Sequence, residues 1–157
     1  MPAVRKKYQT FDAYKTATVR EVVGDTNKGI QLEVTSLQSG VLWGGEDNDF
    51  TWKPLPLAGQ IAPVYAIHCA DLNADGNIDI LLAGNQPNAK PELGIYNASF
   101  GTVLAGNGKK DFIKIPDNQS GVWIRGAVRD ITSIKIAGTD YLIVLRNNDQ
   151  ILTYRKP

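Results

Sequence analysis

Asp71-Leu72-Asn73-Ala74-Asp75-Gly76-Asn77-Ile78-Asp79 joins two apolar, β-rich runs, Val64 to Ala70 and Ile78 to Ala83. Side-chain oxygens stand at positions 1, 3, 5 and 9 of this nine-residue loop, and position 7, Asn77, can offer its backbone carbonyl. A hard cation such as Ca²⁺ takes six to eight oxygens at about 2.3–2.6 Å. Gly76 permits the backbone reversal that turns alternate side chains toward one centre. Three carboxylates around a doubly charged ion leave a small net negative charge; without an ion, Asp71, Asp75 and Asp79 repel one another. An EF-hand or dockerin-type loop requires a Glu at position 12 and helical flanks, whereas position 12 here is Leu82 and the flanks are strand-like. A β-hairpin loop holding a structural cation through Asp71, Asn73, Asp75, Asn77 and Asp79 is therefore expected. The plainer alternative is a polar turn with no ion, since Asp, Asn and Gly are common turn residues. Three spaced carboxylates exceed what a turn needs. A saturated oxygen cage leaves no open position for substrate, so the ion is expected to be structural.

Working outward, short β-rich runs separated by Gly, Asn, Asp and Pro clusters continue along the chain. Strands are predicted at Gln31 to Leu37, Gly40 to Trp43, Phe50 to Lys53, Val64 to Ala70, Ile78 to Ala83, Thr102 to Ala105 and Phe112 to Ile115. Further strands are predicted at Val122 to Arg125, Asp130 to Ile136, Tyr141 to Leu145 and Ile151 to Arg155. One segment reads as a helix, Asp12 to Val23, with Thr10 as N-cap and Gly24 as its stop. The expected division is thus an N-terminal arm and helix over residues 1–29 and an all-β, antiparallel region over 30–157.

That region repeats itself. Val41-Leu42-Trp43-Gly44-Gly45 followed by Asp49-Phe50 matches Val103-Leu104-Ala105-Gly106-Asn107 followed by Asp111-Phe112, 62 positions later. Ile143-Val144-Leu145-Arg146-Asn147 followed by Gln150-Ile151 is a third, weaker copy. Each reads as the outer hairpin of a propeller blade, giving about two to three blades. Propellers usually have about four to eight. Either the chain is a fragment of a longer propeller, or its open sheet edges are covered by a partner copy or by the N-terminal helix.

The 157 residues carry 17 Lys and Arg against 16 Asp and Glu, a formal charge of +1 that gives no electrostatic reason to expect nucleic acid or an anionic membrane. No apolar run approaches the roughly 20 residues of a membrane span. Arg5, Lys6 and Lys7 are not followed by the apolar stretch of a secretory signal, so any such signal is expected outside this sequence. The single cysteine, Cys69, reads as a small buried hydrophobe, and the single histidine, His68, as a packed or surface residue rather than a general base.

Asp71 to Asp79 followed by Ile80-Leu81-Leu82-Ala83-Gly84-Asn85 resembles the FG-GAP or VCBS repeat, the calcium-loop blade of integrin α-chain propellers and of many secreted bacterial proteins. Ala62-Pro63-Val64-Tyr65-Ala66-Ile67, Ser120-Gly121 and Arg146-Asn147-Asn148-Asp149 are similar to the C-terminal part of bacterial FG-GAP/VCBS proteins related to the ASPIC/UnbV group, and Phe11-Asp12-Ala13-Tyr14 to a short helix upstream of those blades, so residues 30–157 are expected to be the C-terminal fragment of a longer propeller. The resemblance implies a seven-bladed propeller fold, export to the periplasm, cell surface or medium, and Ca²⁺ in blade hairpins. It implies non-enzymatic adhesion or binding of a protein or carbohydrate ligand. The alternative reading is the propeller part of a carbohydrate-active enzyme, a glycan lyase or hydrolase, whose catalytic residues lie mostly elsewhere. The turns Gly45-Glu46-Asp47-Asn48-Asp49 and Asn107-Gly108-Lys109-Lys110-Asp111 lack the ligand spacing and are assigned no metal. Trp43, Trp52, Trp123, Tyr65, Tyr96 and Tyr141 are expected mainly in packing. The loop Gln86 to Asn97, the longest stretch without a strand, is the expected ligand contact.

Overall fold

The computed structural model describes residues 2–24, 30 and 32–155. It divides into two compact units, Met1–Leu37 and Gln38–Pro157. Among the described residues of the first, three short α-helices follow one another: α1 (Pro2–Lys7), α2 (Phe11–Lys15) and α3 (Val19–Val23). The Thr10 hydroxyl caps α2, accepting the Ala13 N–H at 3.2 Å. The one helix expected over Asp12 to Val23 is two, and Thr18 is the cause. Its hydroxyl accepts the Glu21 N–H while the Glu21 carboxylate accepts the Thr18 N–H at 2.8 Å, a capping box that starts a helix afresh. Of the strand expected over Gln31 to Leu37, Gln31 lies outside the described residues. The rest forms no strand, and Leu32, Val34 and Leu37 are exposed.

The second unit carries nine strands in three antiparallel sheets: β1 (Gly40–Gly44) and β2 (Phe50–Pro54); β3 (Val64–Ala70), β4 (Asp79–Gly84), β5 (Thr102–Gly106) and β6 (Phe112–Lys114); and β7 (Val128–Ile136), β8 (Thr139–Arg146) and β9 (Leu152–Arg155). Within each sheet the strands pair in chain order. A short helix, α4 (Asp117–Ser120), follows β6. The fold is thus mostly β with a few short helices. Among the described residues no helix is long and apolar enough to cross a membrane.

The three sheets stack as layers, and β4 explains why. All six of its residues are buried, so its apolar run Ile80-Leu81-Leu82-Ala83 faces a core on both sides. Ile80 and Leu82, with Leu104, Phe112 and Val64, pack toward Val41 and Leu55. Leu81 and Ala83, with Ala66 and Val103, pack toward Ile131, Leu142, Val144 and Leu152 of the third sheet. Call the side of the middle sheet turned to β1–β2 its front, and the side turned to β7–β9 its back. The inner face of β1–β2 is then Val41, Trp43 and Lys53. Trp43 stacks on Phe112 at 5.8 Å between ring centres, and the Lys53 ammonium lies 3.2 Å from the Asp111 carboxylate.

The two hairpins that match in sequence also match in register. Leu42 pairs with Trp52 and Gly44 with Phe50; 62 positions on, Leu104 pairs with Lys114 and Gly106 with Phe112. Both turns close with the same bond, Gly45 N–H to the Asp49 carbonyl at 2.7 Å and Asn107 N–H to the Asp111 carbonyl at 3.2 Å. In both, the residue before the closing Asp takes positive φ, Asn48 at 59° and Lys110 at 61°. The third hairpin is two residues tighter, with Val144 facing Leu152. Val144 and Leu104 are both fully buried, and each lies on the side of its sheet that faces the preceding layer.

Two expectations are corrected here. Val122 to Arg125 joins no ladder: the Ile124 N–H donates to the Phe100 carbonyl at 2.7 Å, while the carbonyls of Trp123 and Arg125 accept from the Tyr154 hydroxyl and the Arg146 guanidinium. Alternation is present, with Ile124 buried and Trp123 exposed, but side chains stand where a neighbouring strand would. Cys69 is exposed rather than buried, because it falls on the front of β3 beyond the reach of the β1–β2 layer.

Candidate functional site

β3 ends at Ala70 and β4 begins at Asp79, so the acidic loop is the connection of the β3–β4 hairpin. Its backbone winds back on itself through positive φ at Ala74 (62°) and Gly76 (86°). A succession of side-chain-to-backbone bonds fixes the winding. Asp71 accepts the N–H groups of Asp75 at 3.2 Å and Gly76 at 3.0 Å, Asn73 accepts that of Asp75 at 2.9 Å, and Asp75 accepts that of Asn77 at 2.7 Å. The Asn73 amide also donates to Asp75 at 3.0 Å. The Asn77 N–H, and then the Asn73 amide, hold the Asp75 carboxyl below its usual range.

Asp79 does something else. It is completely buried, and its two oxygens accept the Leu72 N–H at 2.9 Å and the Gly106 N–H at 3.0 Å. One carboxylate thereby ties the start of the loop to β4 and to the end of β5. The approach of β5 is close: a Cβ on Gly106 would stand 2.1 Å from the Ile78 carbonyl oxygen. The loop also abuts the β5–β6 turn, where a Cβ on Gly108 would meet the Asn77 Oδ1 at 2.7 Å.

The donor set suits a hard cation, being all oxygen with three carboxylates. As arranged, both oxygens of Asp71, Asp75 and Asp79 serve N–H donors, and among the described residues no three His, Cys, Asp or Glu side chains gather into a metal-holding cluster. A carboxylate has about four lone-pair sites on its two oxygens, so each keeps acceptor capacity beyond its N–H bonds. Asp71, Asn73, Asp75, the Asn77 carbonyl and Asp79 are the residues that would hold an ion.

A cleft of about 370 Å³ lies elsewhere on the second unit, lined by Asn85, Pro87, Asn97, Ser99, Phe100 and Arg125. Pro87 and Asn97 belong to the long loop, whose base is closed by the mutual backbone bonds of Gln86 and Tyr96 at 2.7 and 3.1 Å. Asn85 forms the floor. Buried and at φ 85°, it donates to the carbonyls of Ser99 and Gly126 and accepts the Ser99 N–H. Phe100 and Trp123 stack at 4.5 Å on the rim, with the Arg125 guanidinium 5.9 and 5.6 Å from their ring centres. Among the described residues no carboxylate pairs with Arg125. Nearby, Arg129 stacks on Tyr65 at 4.2 Å and donates to the Asn85 carbonyl.

Sequence reasoning singled out Trp123, Tyr65 and the long loop, but not Phe100, Arg125 or Arg129. Their juxtaposition depends on segments distant in sequence, and no local pattern announces it. His68 is half-buried on the back of β3. No family model matches this chain, and neither a curated protein nor a solved structure does.

Proposed function

We propose that this chain is a non-enzymatic, calcium-stabilised binding module made of propeller-type blades and belonging to an exported protein of the FG-GAP/VCBS kind. The observation that carries the reading is the central hairpin. Its loop is wound by bonds from Asp71, Asn73 and Asp75 to successive backbone N–H groups, and Asp79 anchors it to the neighbouring strand. Further support comes from the four-stranded meander β3–β6 and from the shared register of the β1–β2 and β5–β6 hairpins. A bound Ca²⁺ supplies charge neutralisation for three carboxylates that otherwise repel. In this reading Asp71, Asn73, Asp75 and Asp79 supply side-chain oxygens and Asn77 its carbonyl, and Asp79 also couples the loop to the core.

The cleft beside the 86–97 loop is the ligand face in this reading. Exposed aromatic rings offer a surface for the C–H face of a sugar, and the unpaired Arg125 offers a fork of N–H donors. A carbohydrate or a protein loop presenting an acidic group fits that chemistry.

Thermal unfolding in EDTA, in millimolar Mg²⁺ and in millimolar Ca²⁺ tests the proposal. A ligand at about 100 times its dissociation constant adds about 2.7 kcal/mol, a rise of several degrees for a domain of this size. The rise is expected with Ca²⁺ alone and is expected to vanish in Asp75→Ala. Equal melting in all three solutions, or an Asp75→Ala protein that responds as the parent does, would refute it.

A further inference from the structure

The turn that closes β5 and β6 holds Asn107-Gly108, the one Asn-Gly step in the 157 residues. Residues 107–110 are all exposed. The Gly108 N–H, on a residue at φ 68°, has no hydrogen-bond acceptor among the described residues, whereas the Asn107 Oδ1 accepts the Lys109 N–H at 2.8 Å. A backbone nitrogen next to an asparagine, once it has lost its proton, is a nucleophile for the side-chain carbonyl carbon. A donor already aimed at Oδ1 stabilises the negative charge that develops there during the attack. Lys109 and Lys110 add positive charge beside the amide that must ionise. Glycine presents no side chain to hinder the approach, and the packing requires it: a Cβ at 108 would meet the Asn77 Oδ1 at 2.7 Å.

Two other turns of the same chain serve as contrasts. At Asp75-Gly76 the Gly76 N–H is engaged by the Asp71 carboxylate at 3.0 Å, and an ionised aspartate is a poor electrophile. In the β1–β2 turn, 62 positions before the β5–β6 one, Gly45 and Glu46 stand in place of Asn107 and Gly108, so the matching hairpin lacks the reactive pair.

We propose that Asn107 is a site of spontaneous deamidation, an irreversible modification that loosens the β5–β6 hairpin beside the acidic loop. The Gly108 nitrogen, its proton given to hydroxide, bonds to the Asn107 Cγ. The Cγ–Nδ2 bond breaks, ammonia leaves with a proton from water, and a five-membered succinimide closes. Water then opens the ring at either carbonyl. Breaking the Cγ–N bond leaves aspartate in a normal main chain; breaking the bond to the main-chain carbonyl leaves isoaspartate, whose main chain runs through the side chain and is one atom longer. The sum is water taken up and ammonia lost, with nothing oxidised or reduced.

The two products are unequal. Aspartate keeps an oxygen for the Lys109 N–H, and it keeps the main-chain N–H that donates to the Asp111 carbonyl at 3.2 Å. Isoaspartate lengthens the path from that N–H to Gly108, which Asn77 already crowds. Turn closure is lost in this product alone, and with it the fixed neighbour of the Asn77 end of the acidic loop. The chemistry is the same whether or not that loop carries an ion.

Peptide mapping by mass spectrometry, on folded protein held in mildly alkaline buffer well below its melting temperature, is the test. Asn107 is expected to lose its amide about tenfold faster than any other asparagine, equivalent to about 1.4 kcal/mol off the barrier. Isoaspartate is expected alongside aspartate, read by methyl transfer from S-adenosylmethionine under an isoaspartyl methyltransferase. A synthetic peptide of residues 104–112 gives the rate without the fold, and the folded protein is expected to match or exceed it because the donor to Oδ1 is preset. Asn107→Gln is expected to stay unmodified at this turn. The isoaspartyl form, isolated by chromatography, is expected to unfold at lower urea than both the parent and Asn107→Asp. An Asn107 that reacts no faster than the other asparagines overturns the proposal, as does one that reacts about tenfold slower in the protein than in the peptide. So does an isoaspartyl form as stable as Asn107→Asp, which would mean that main-chain length at this turn is not what holds the hairpin.

Discussion

The hairpins β1–β2 and β5–β6 are near-copies in sequence, register and turn, yet one is the outermost layer of the stack and the other lies inside it. Leu104 is fully buried and Leu42 is 57% exposed, although each occupies the same place in its hairpin. The local code is therefore common to both, and what differs is the number of layers laid against them. Hairpin geometry follows from turn chemistry and alternation. Its energetic weight follows from what covers it.

The glycines make the sharpest version of this contrast. Gly106 and Gly44 hold equivalent positions, but a Cβ on Gly106 would lie 2.1 Å from the Ile78 carbonyl oxygen, whereas one on Gly44 would find only a Phe50 ring carbon at 3.8 Å. Backbone on the far side of Gly106 cannot move without breaking the Asp79 bond to its N–H. Gly106→Ala is expected to cost about 3 kcal/mol or more, beyond the usual range for overpacking because the obstacle is main chain. Gly44→Ala is expected to change stability by about 1 kcal/mol at most. Urea unfolding of the two variants measures the difference. Equal losses would mean that the two hairpins are packed alike.

Leu104→Ala and Leu42→Ala probe the same contrast through side chains. Emptying the Leu104 site should cost about 2–5 kcal/mol, the range for buried leucines whose surroundings collapse only in part. For Leu42, which is exposed, the loss should stay at about 0.5 kcal/mol.

Most of the sheet was legible because alternation and Gly/Asn/Asp turns report strands directly: the bounds of β3 are those its β-rich run predicts, and β1, β2, β4, β5 and β6 differ by a residue or two. The two missing strands share one cause. Leu32 and Val34 alternate as a strand does, as do Val122 and Ile124, but a strand exists only where a partner supplies backbone bonds. Here Tyr154 and Arg146 side chains satisfy the second segment, and no ladder reaches the first. The helix over 12–23 broke at Thr18 because a capping box with Glu21 competes with continuing the helix. At the loop, the spacing of oxygens was plain in the sequence, and the role of Asp79 was not. Its partner is the N–H of Gly106, 27 residues away, and a backbone donor leaves no signature in the residue that carries it.

The smallest effect belongs to the one turn the repeated hairpins do not share. The Asn77 N–H, with the Asn73 amide second, holds Asp75 below its ordinary range, so the folded state favours the carboxylate more than the unfolded chain does. The sign follows from linkage: the contribution is complete above the unfolded carboxylate value, about 3.9, and is lost as the pH falls through the lowered folded one. Asp75 is exposed and screened by water, so the loss is slight and confined to the acid limb. Asp75→Asn keeps an oxygen for the Asn77 N–H but cannot titrate. Followed in EDTA, the parent should lose slightly more stability than this variant between pH 5 and the foot of the acid limb, and the two should run parallel above it. If they ran parallel throughout, the Asn77 bond would contribute nothing that depends on the charge of Asp75. The loop would then be held in its winding by Asp71, Asn73 and Asp79 without it.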